Sequence, residues 1–163
     1  MKNRITYSYF FKGALLLLVI LISVFQIYIL FGMTFVKSIN LDVPKLTAWK
    51  PANTEKPAML TIEGSVLRVV GDDSHFLYQI MTPSISVMPF MDYEFSIPVQ
   101  VQQGNIAVGV LNGTLQKWLI PPVDLKNNYI VNTRFNTSVI IVISNANPEN
   151  SQTEQSIFTI KEQ

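Results

Sequence analysis

The sequence predicts a mainly β chain, an antiparallel sandwich or barrel, preceded by one transmembrane α-helix. Three observations carry this. An uncharged apolar run of 24 residues lies near the N-terminus. After residue 58 the chain breaks into short apolar runs separated by turn residues, with no amphipathic helical period between them. One stretch, residues 94–102, alternates apolar and polar side chains with the period of two of a half-buried strand.

The apolar run extends from Gly13 to Val36, and its polar members are Ser23, Gln26, Tyr28 and Thr34. As a helix it would be roughly 36 Å long, against a bilayer hydrocarbon core of about 30 Å. The aromatic cluster Tyr7, Tyr9, Phe10 and Phe11 beside Lys12 suits the headgroup level. A cleaved signal peptide would have an apolar stretch of about 7–15 residues ending in small residues. Here the stretch is longer, and Phe35-Val36-Lys37-Ser38-Ile39 follows without an A-x-A pattern. Residues 1–12 are therefore expected to be a short cytoplasmic tail and 13–36 a retained single-pass signal anchor. Lys2, Arg4 and Lys12 favour that orientation, and Lys37, Lys45 and Lys50 oppose it. The expected location is a C-terminal domain outside the cytoplasm, in a periplasm, a lumen or the cell exterior. Gln26 lies near mid-span, where an amide is best satisfied against a partner helix, so it is the candidate for helix packing. Gly13 and Gly32 are too far apart for a small-xxx-small motif.

Residues 37–58 contain Pro44, Pro51 and Pro57 without any sustained period. They read as an extended linker, or as an irregular segment laid along the domain with Trp49 tucked against it. The extracytoplasmic β domain is placed at 59–163. Its first runs are Leu60–Glu63, Val66–Val70 and Phe76–Met81. In 94–102, Phe95, Ile97, Val99 and Val101 share one face, and Pro98 implies an edge or a bulge. Gln103-Gly104 then reads as a hairpin turn into Asn105–Leu111. Val139–Ile143, apolar on both faces, reads as a central strand, and Ile157–Ile160 as the last.

Composition excludes several functions. The chain has 12 basic and 11 acidic residues. All three charges before residue 36 are basic, so the remainder is close to neutral and lacks the footprint of a nucleic-acid binder. There is no cysteine, hence no disulfide, thiol chemistry or Cys-held metal.

The order of features can be set beside known folds. Gly64, Val66, Val69 and Gly71 are followed by Tyr78, Pro89 and Tyr93. Gly104 then precedes the run from Ile106 to Leu111. Trp118, Asn132-Thr133, Val139–Asn145 and Phe158 complete the order. Over residues 59–161 this resembles the jelly-roll β-sandwiches of carbohydrate-binding modules, including those attached to membrane proteins of cell-surface glycan metabolism. The resemblance narrows the fold to a jelly-roll-like β-sandwich. It implies sugar stacking on aromatic rings, with Trp118, Tyr93, Tyr129 and Phe90 as candidates. The polar neighbours would be Asn112, Gln116, Asn132 and Arg134. Equally, Trp118 within Trp118-Leu119-Ile120 reads as a core residue.

Catalytic signals are sparse. His75 follows Asp72-Asp73-Ser74, but adjacency in a turn does not assemble a triad. Asp92 and Glu94 share a strand face without the divided environments that acid–base pairs need. Asp72 and Asp73 would suit calcium only if loop oxygens joined them, and no D-x-D-x-D-G spacing is present. Asn112-Gly113-Thr114 and Asn136-Thr137-Ser138 match glycosylation sequons and also read as turns.

The expectation is a non-catalytic accessory subunit without cofactor. Its partners would be membrane lipid and a membrane protein, with its sandwich covering the extracytoplasmic face of the assembly. The alternative is a membrane-tethered glycan-binding module in cell-surface polysaccharide metabolism.

Overall fold

A computed structural model describes residues 15–27, 38–72, 78–146 and 155–162. The chain divides into two compact units, Met1–Lys37 and Ser38–Gln163.

In the first unit, residues 15–27 form a helix, α1. It is apolar around its whole circumference, and its large apolar side chains are 49–64% exposed. The Ser23 hydroxyl donates to the Val19 carbonyl at 2.9 Å, satisfying itself within the helix. Among the described residues no helix is long and apolar enough to cross a membrane. The ends of the 13–36 run, and the tail 1–12, lie outside the described residues.

The second unit is mainly β. In chain order the strands are β1 (Ile39–Asn40), β2 (Lys50–Pro51), β3 (Met59–Glu63), β4 (Val66–Val70), β5 (Tyr78–Met81), β6 (Ile85–Ser86) and β7 (Asp92–Phe95). They continue with β8 (Val99–Gln103), β9 (Ile106–Asn112), β10 (Trp118–Asp124), β11 (Tyr129–Asn132), β12 (Ser138–Asn145) and β13 (Ile157–Lys161). Three sheets result. One has the order β1-β7-β11, one β3-β4-β13-β8, and the largest β10-β9-β12-β5-β2 with β6 also on β12. Among the described residues every strand pairing is antiparallel except β1 with β7.

Side-chain parity places the core. Val139, Ile141 and Ile143 of β12 and Ile106, Val108 and Val110 of β9 point inward from the largest sheet. They join Leu67, Val69, Phe158 and Ile160 from the four-stranded sheet and Tyr93, Phe95, Tyr129 and Val131 from the three-stranded one. As its two apolar faces predict, β12 is central, flanked by β9 and β5. The β3–β4 hairpin turns at Gly64, whose φ of 60° is in the left-handed region that glycine enters without a Cβ clash.

The structure departs from the sequence reading in two places. The alternating stretch 94–102 is two strands in different sheets, β7 and β8, separated at Ile97-Pro98. Pro98, lacking an N–H, interrupts the ladder, while its carbonyl accepts from the Lys161 N–H. Gly104 likewise joins two sheets rather than closing a hairpin, since β8 pairs with β13 and β9 with β12 and β10. Its φ is 73°, and a Cβ there would approach the Ser156 Cα at 3.1 Å.

Of the two readings of 37–58, the segment laid along the domain is the one observed, and the compact β unit starts at Ser38. Residues 38–58 are laid along it. Ile39 pairs with Tyr93, Lys50 with Met81, and Leu41, Leu46, Trp49 and Ala58 are buried in the core. The Trp49 indole N–H donates to the Pro44 carbonyl at 3.2 Å, so burying the ring leaves no donor stranded.

Candidate functional site

The residues proposed for ligand contact fall into two groups. Tyr93 and Tyr129 are core residues, 7% and 3% exposed. Tyr129 stacks on Phe95, with ring centroids 5.1 Å apart. The Tyr93 hydroxyl accepts the Met88 N–H at 3.0 Å, and that of Tyr129 accepts the Lys126 N–H at 2.9 Å. Neither ring offers a face to a sugar. The signal was present in the sequence, because Tyr93 is in phase with Phe95, itself read as inward-facing.

Burial raises the pKa of Tyr129, the Lys126 N–H opposes the rise, and the Asp124 carboxylate adds to it. The fold therefore favours the neutral phenol. That stability is fully present below the ordinary tyrosine pKa of about 10 and is lost as pH rises through the higher native value. Stability should fall in alkali above pH ~10, and Tyr129→Phe should flatten this slope in denaturant titrations run at several pH values.

Trp118 occupies different ground. It lies on the outward face of the six-stranded sheet, where Leu111, Ile140 and Val142 form a second buried cluster. Half-buried Tyr78, Met81 and Trp118 pack over that cluster. Tyr78 and Trp118 meet edge-on, with centroids 5.5 Å apart and planes at 87°. Gly109 makes this seat possible. A Cβ there would stand 2.5 Å from the indole Cζ3. Strand β10 is an edge strand whose register with β9 shifts twice around Ile120, Pro121 and Pro122. An edge is where such prolines are tolerated. Gln116 sits in the adjoining loop, where its N–H and that of Lys117 donate to the Asn112 side-chain oxygen at 2.9 and 3.1 Å.

Asn132 and Arg134 lie at one end of the three-stranded sheet. Asn132 donates to Asp92 at 2.6 Å across the β7–β11 pair, and its side-chain oxygen accepts the Arg134 N–H at 3.0 Å. Glu94, the other carboxylate on β7, accepts from the Ser38 hydroxyl at 2.9 Å and from Asn128 at 3.0 Å. Both carboxylates thus tie neighbouring strands together. Asp72 is held through Gln79, whose amide donates to the carboxylate and accepts the Asp72 N–H, each at 2.8 Å. Asp73 and His75 lie outside the described residues. Among the described residues no three His, Asp or Glu side chains gather as a metal site would require.

A feature the sequence reading passed over is the loop end around Arg134. Three loops meet there: 87–91, 113–117 and 133–137. Buried Thr133 links two of them. Its hydroxyl accepts the Met91 N–H at 3.0 Å and lies 2.8 Å from the Met88 carbonyl, to which it donates. Phe90 and Phe135 meet edge-on, with centroids 4.7 Å apart. The available signal was an aromatic residue inside the polar turn Thr133-Arg134-Phe135-Asn136-Thr137.

These features define a mainly β, sandwich-like protein with an aromatic patch on one sheet and an apolar loop end. No protein-family model matches the chain, and no curated protein matches it in sequence. Among solved structures it is similar to the Glycosylation Associate Protein (Gap123) complex from Streptococcus agalactiae, with a TM-score of 0.51 and 10% identity. The match covers 72% of this chain and 23% of that one, so the chain spans about a quarter of its neighbour's length. At that identity the likeness is one of fold.

Proposed function

We propose that this chain is a non-catalytic, membrane-anchored accessory subunit. Its N-terminal segment packs in a larger membrane assembly, and its β unit covers the extracytoplasmic face. The observation that carries the reading is α1. A helix apolar on every side, with those side chains exposed, requires an apolar surrounding that water does not supply. The uncharged sequence continues on both sides of it, from 13 to 36. Strand-tying carboxylates and a core built from the tyrosines support a role in binding rather than reaction. Extraction in mild detergent followed by sizing tests it. A complex larger than the monomer, with co-purifying membrane protein, is expected, and a lone monomer would count against the subunit role. Gln26→Leu is expected to weaken that complex if the amide makes the helix contact.

One observation favours a second reading, a glycan-binding module. Trp118 and Tyr78 present half-exposed rings on an open sheet face, and the fold neighbour belongs to a complex named for glycosylation. On a glycan array, the solubilised full chain should bind, and Trp118→Ala should abolish binding while leaving the melting transition in place. A blank array removes this reading.

A further inference from the structure

The three loops at the Phe135 end share properties that nothing in the sandwich requires. Each exposes an apolar side chain: Met88 is 56% exposed, Leu115 47% and Phe135 83%. All three non-glycine residues with positive φ among the described residues are in these loops: Phe90 at 61°, Leu115 at 60° and Arg134 at 50°. Such backbone is strained and persists where surrounding structure holds it. Here it is held. Thr133 clamps Met88 and Met91, the Phe90 N–H donates to the Arg134 carbonyl, and the Leu115 N–H donates to the Asn112 carbonyl at 2.9 Å. The charged residues of the three loops are Lys117 and Arg134, both basic.

The chain also enters the β unit at this end. Strand β1 runs parallel to β7 with Ile39 opposite Tyr93, which puts Ser38 level with Asp92. Asp92 is paired with Asn132, two residues from Arg134. The apolar run of the sequence ends at Val36, so one residue separates it from Ser38.

We propose that this loop end docks on the bilayer interface, with Phe135, Phe90, Met88 and Leu115 at headgroup depth and Arg134 and Lys117 against anionic headgroups. The inference rests on the anchor reading above. Apolar and aromatic tips that carry Arg134 and Lys117 suit a negatively charged lipid surface, while the exposed Asp92 at the base of the 87–91 loop is tied to Asn132.

The absence of cysteine allows a direct test. The full chain carrying Leu115→Cys, labelled with an environment-sensitive fluorophore, is reconstituted into phosphatidylcholine vesicles with and without phosphatidylglycerol. Asn105→Cys, at the other end of β9 and roughly 20 Å away, is the control. The 115 label should emit to the blue of the 105 label and be quenched several-fold more by shallow nitroxide lipids. The difference should be larger with phosphatidylglycerol. Adding Phe135→Asp, or Arg134→Glu with Lys117→Glu, should return the label to water with an unchanged melting transition. Alkaline carbonate treatment of the same vesicles separates the two ideas. Retention with a water-exposed 115 label overturns the docking alone, whereas release overturns the anchor and the docking with it. Blue-shifted emission that depends on protein density and ignores the nitroxide lipids would assign the end to self-association instead, and overturn the docking.

Discussion

Replacing Phe158 by alanine should cost about 3–5 kcal/mol, the largest loss expected of any single truncation in this fold. Phe158 is fully buried in β13, opposite Val69 of β4 on one side and Val101 of β8 on the other. It therefore couples three strands of the four-stranded sheet to the core shared with β9 and β12. Removing the ring loses its transfer free energy and leaves a cavity that flanking backbone ladders cannot close. A domain of this size has roughly 5–15 kcal/mol in total, so the variant should lose about a fifth of it or more. Its melting temperature should fall by roughly 10–20 °C. Met59→Ala is the comparison. Met59 is 68% exposed on the edge strand β3 of the same sheet, and its truncation should stay within about 0.5 kcal/mol. Equal effects of the two in denaturant titration would mean that β13 does not hold the centre of the core.

That contrast also marks what was readable from the chain. Strands β4, β12 and β13 carry apolar residues whose spacing alone fixes their type, and all three lie where that spacing places them. The stretch 94–102 misleads because its alternation runs unbroken through Pro98. Parity is a local property and is preserved when a strand leaves one sheet for another, so periodicity cannot register the crossing at Ile97-Pro98. Residues 38–58 were legible only as a choice between a stalk and a segment laid along the domain, and the second is what the structure has. They have no period, yet Leu46 and Trp49 are buried, because an irregular segment can bury individual side chains without a repeating face. At the candidate site, residue type was legible and position was not. Trp118 stood out as an aromatic, but the face it takes depends on shifted register around Pro121 and Pro122 and on a glycine in a different strand. Tyr93 and Tyr129 stood out for the same reason and belong to the core. The loop end went unread because its meaning lies in three loops, distant in sequence, meeting at one place.

Gly109→Val is the second large effect expected, and it bears on function as well as stability. Gly109 is in β9, opposite Val142 of the central strand β12, and its outward side is where Trp118 rests. A Cβ there would lie 2.5 Å from the indole, 3.2 Å from the Ile120 carbonyl oxygen and 3.2 Å from the Pro122 nitrogen. The first neighbour is a side chain and can swing away. The other two are backbone of the shifted part of β10 and yield only by moving the edge strand. Overpacking of this kind costs typically 1–3 kcal/mol. Valine adds two methyl groups beyond that Cβ, so the upper part of the range is expected, with Gly109→Ala nearer the lower. The indole should also leave its seat beside Tyr78. Near-ultraviolet circular dichroism from the ring pair should collapse, and acrylamide should quench tryptophan emission more strongly, since the second tryptophan, Trp49, is buried elsewhere in the core. A Gly109→Val protein as stable as the parent, with its aromatic spectrum intact, would show that Trp118 does not depend on this glycine. If the sheet face binds glycan, Gly109→Ala provides the finer comparison. It retains the indole and disturbs only its seat, so it should weaken array binding while Trp118→Ala abolishes it. Equal binding by Gly109→Ala and the parent, with the ring displaced, would mean that the sugar does not meet the indole where the sheet now holds it.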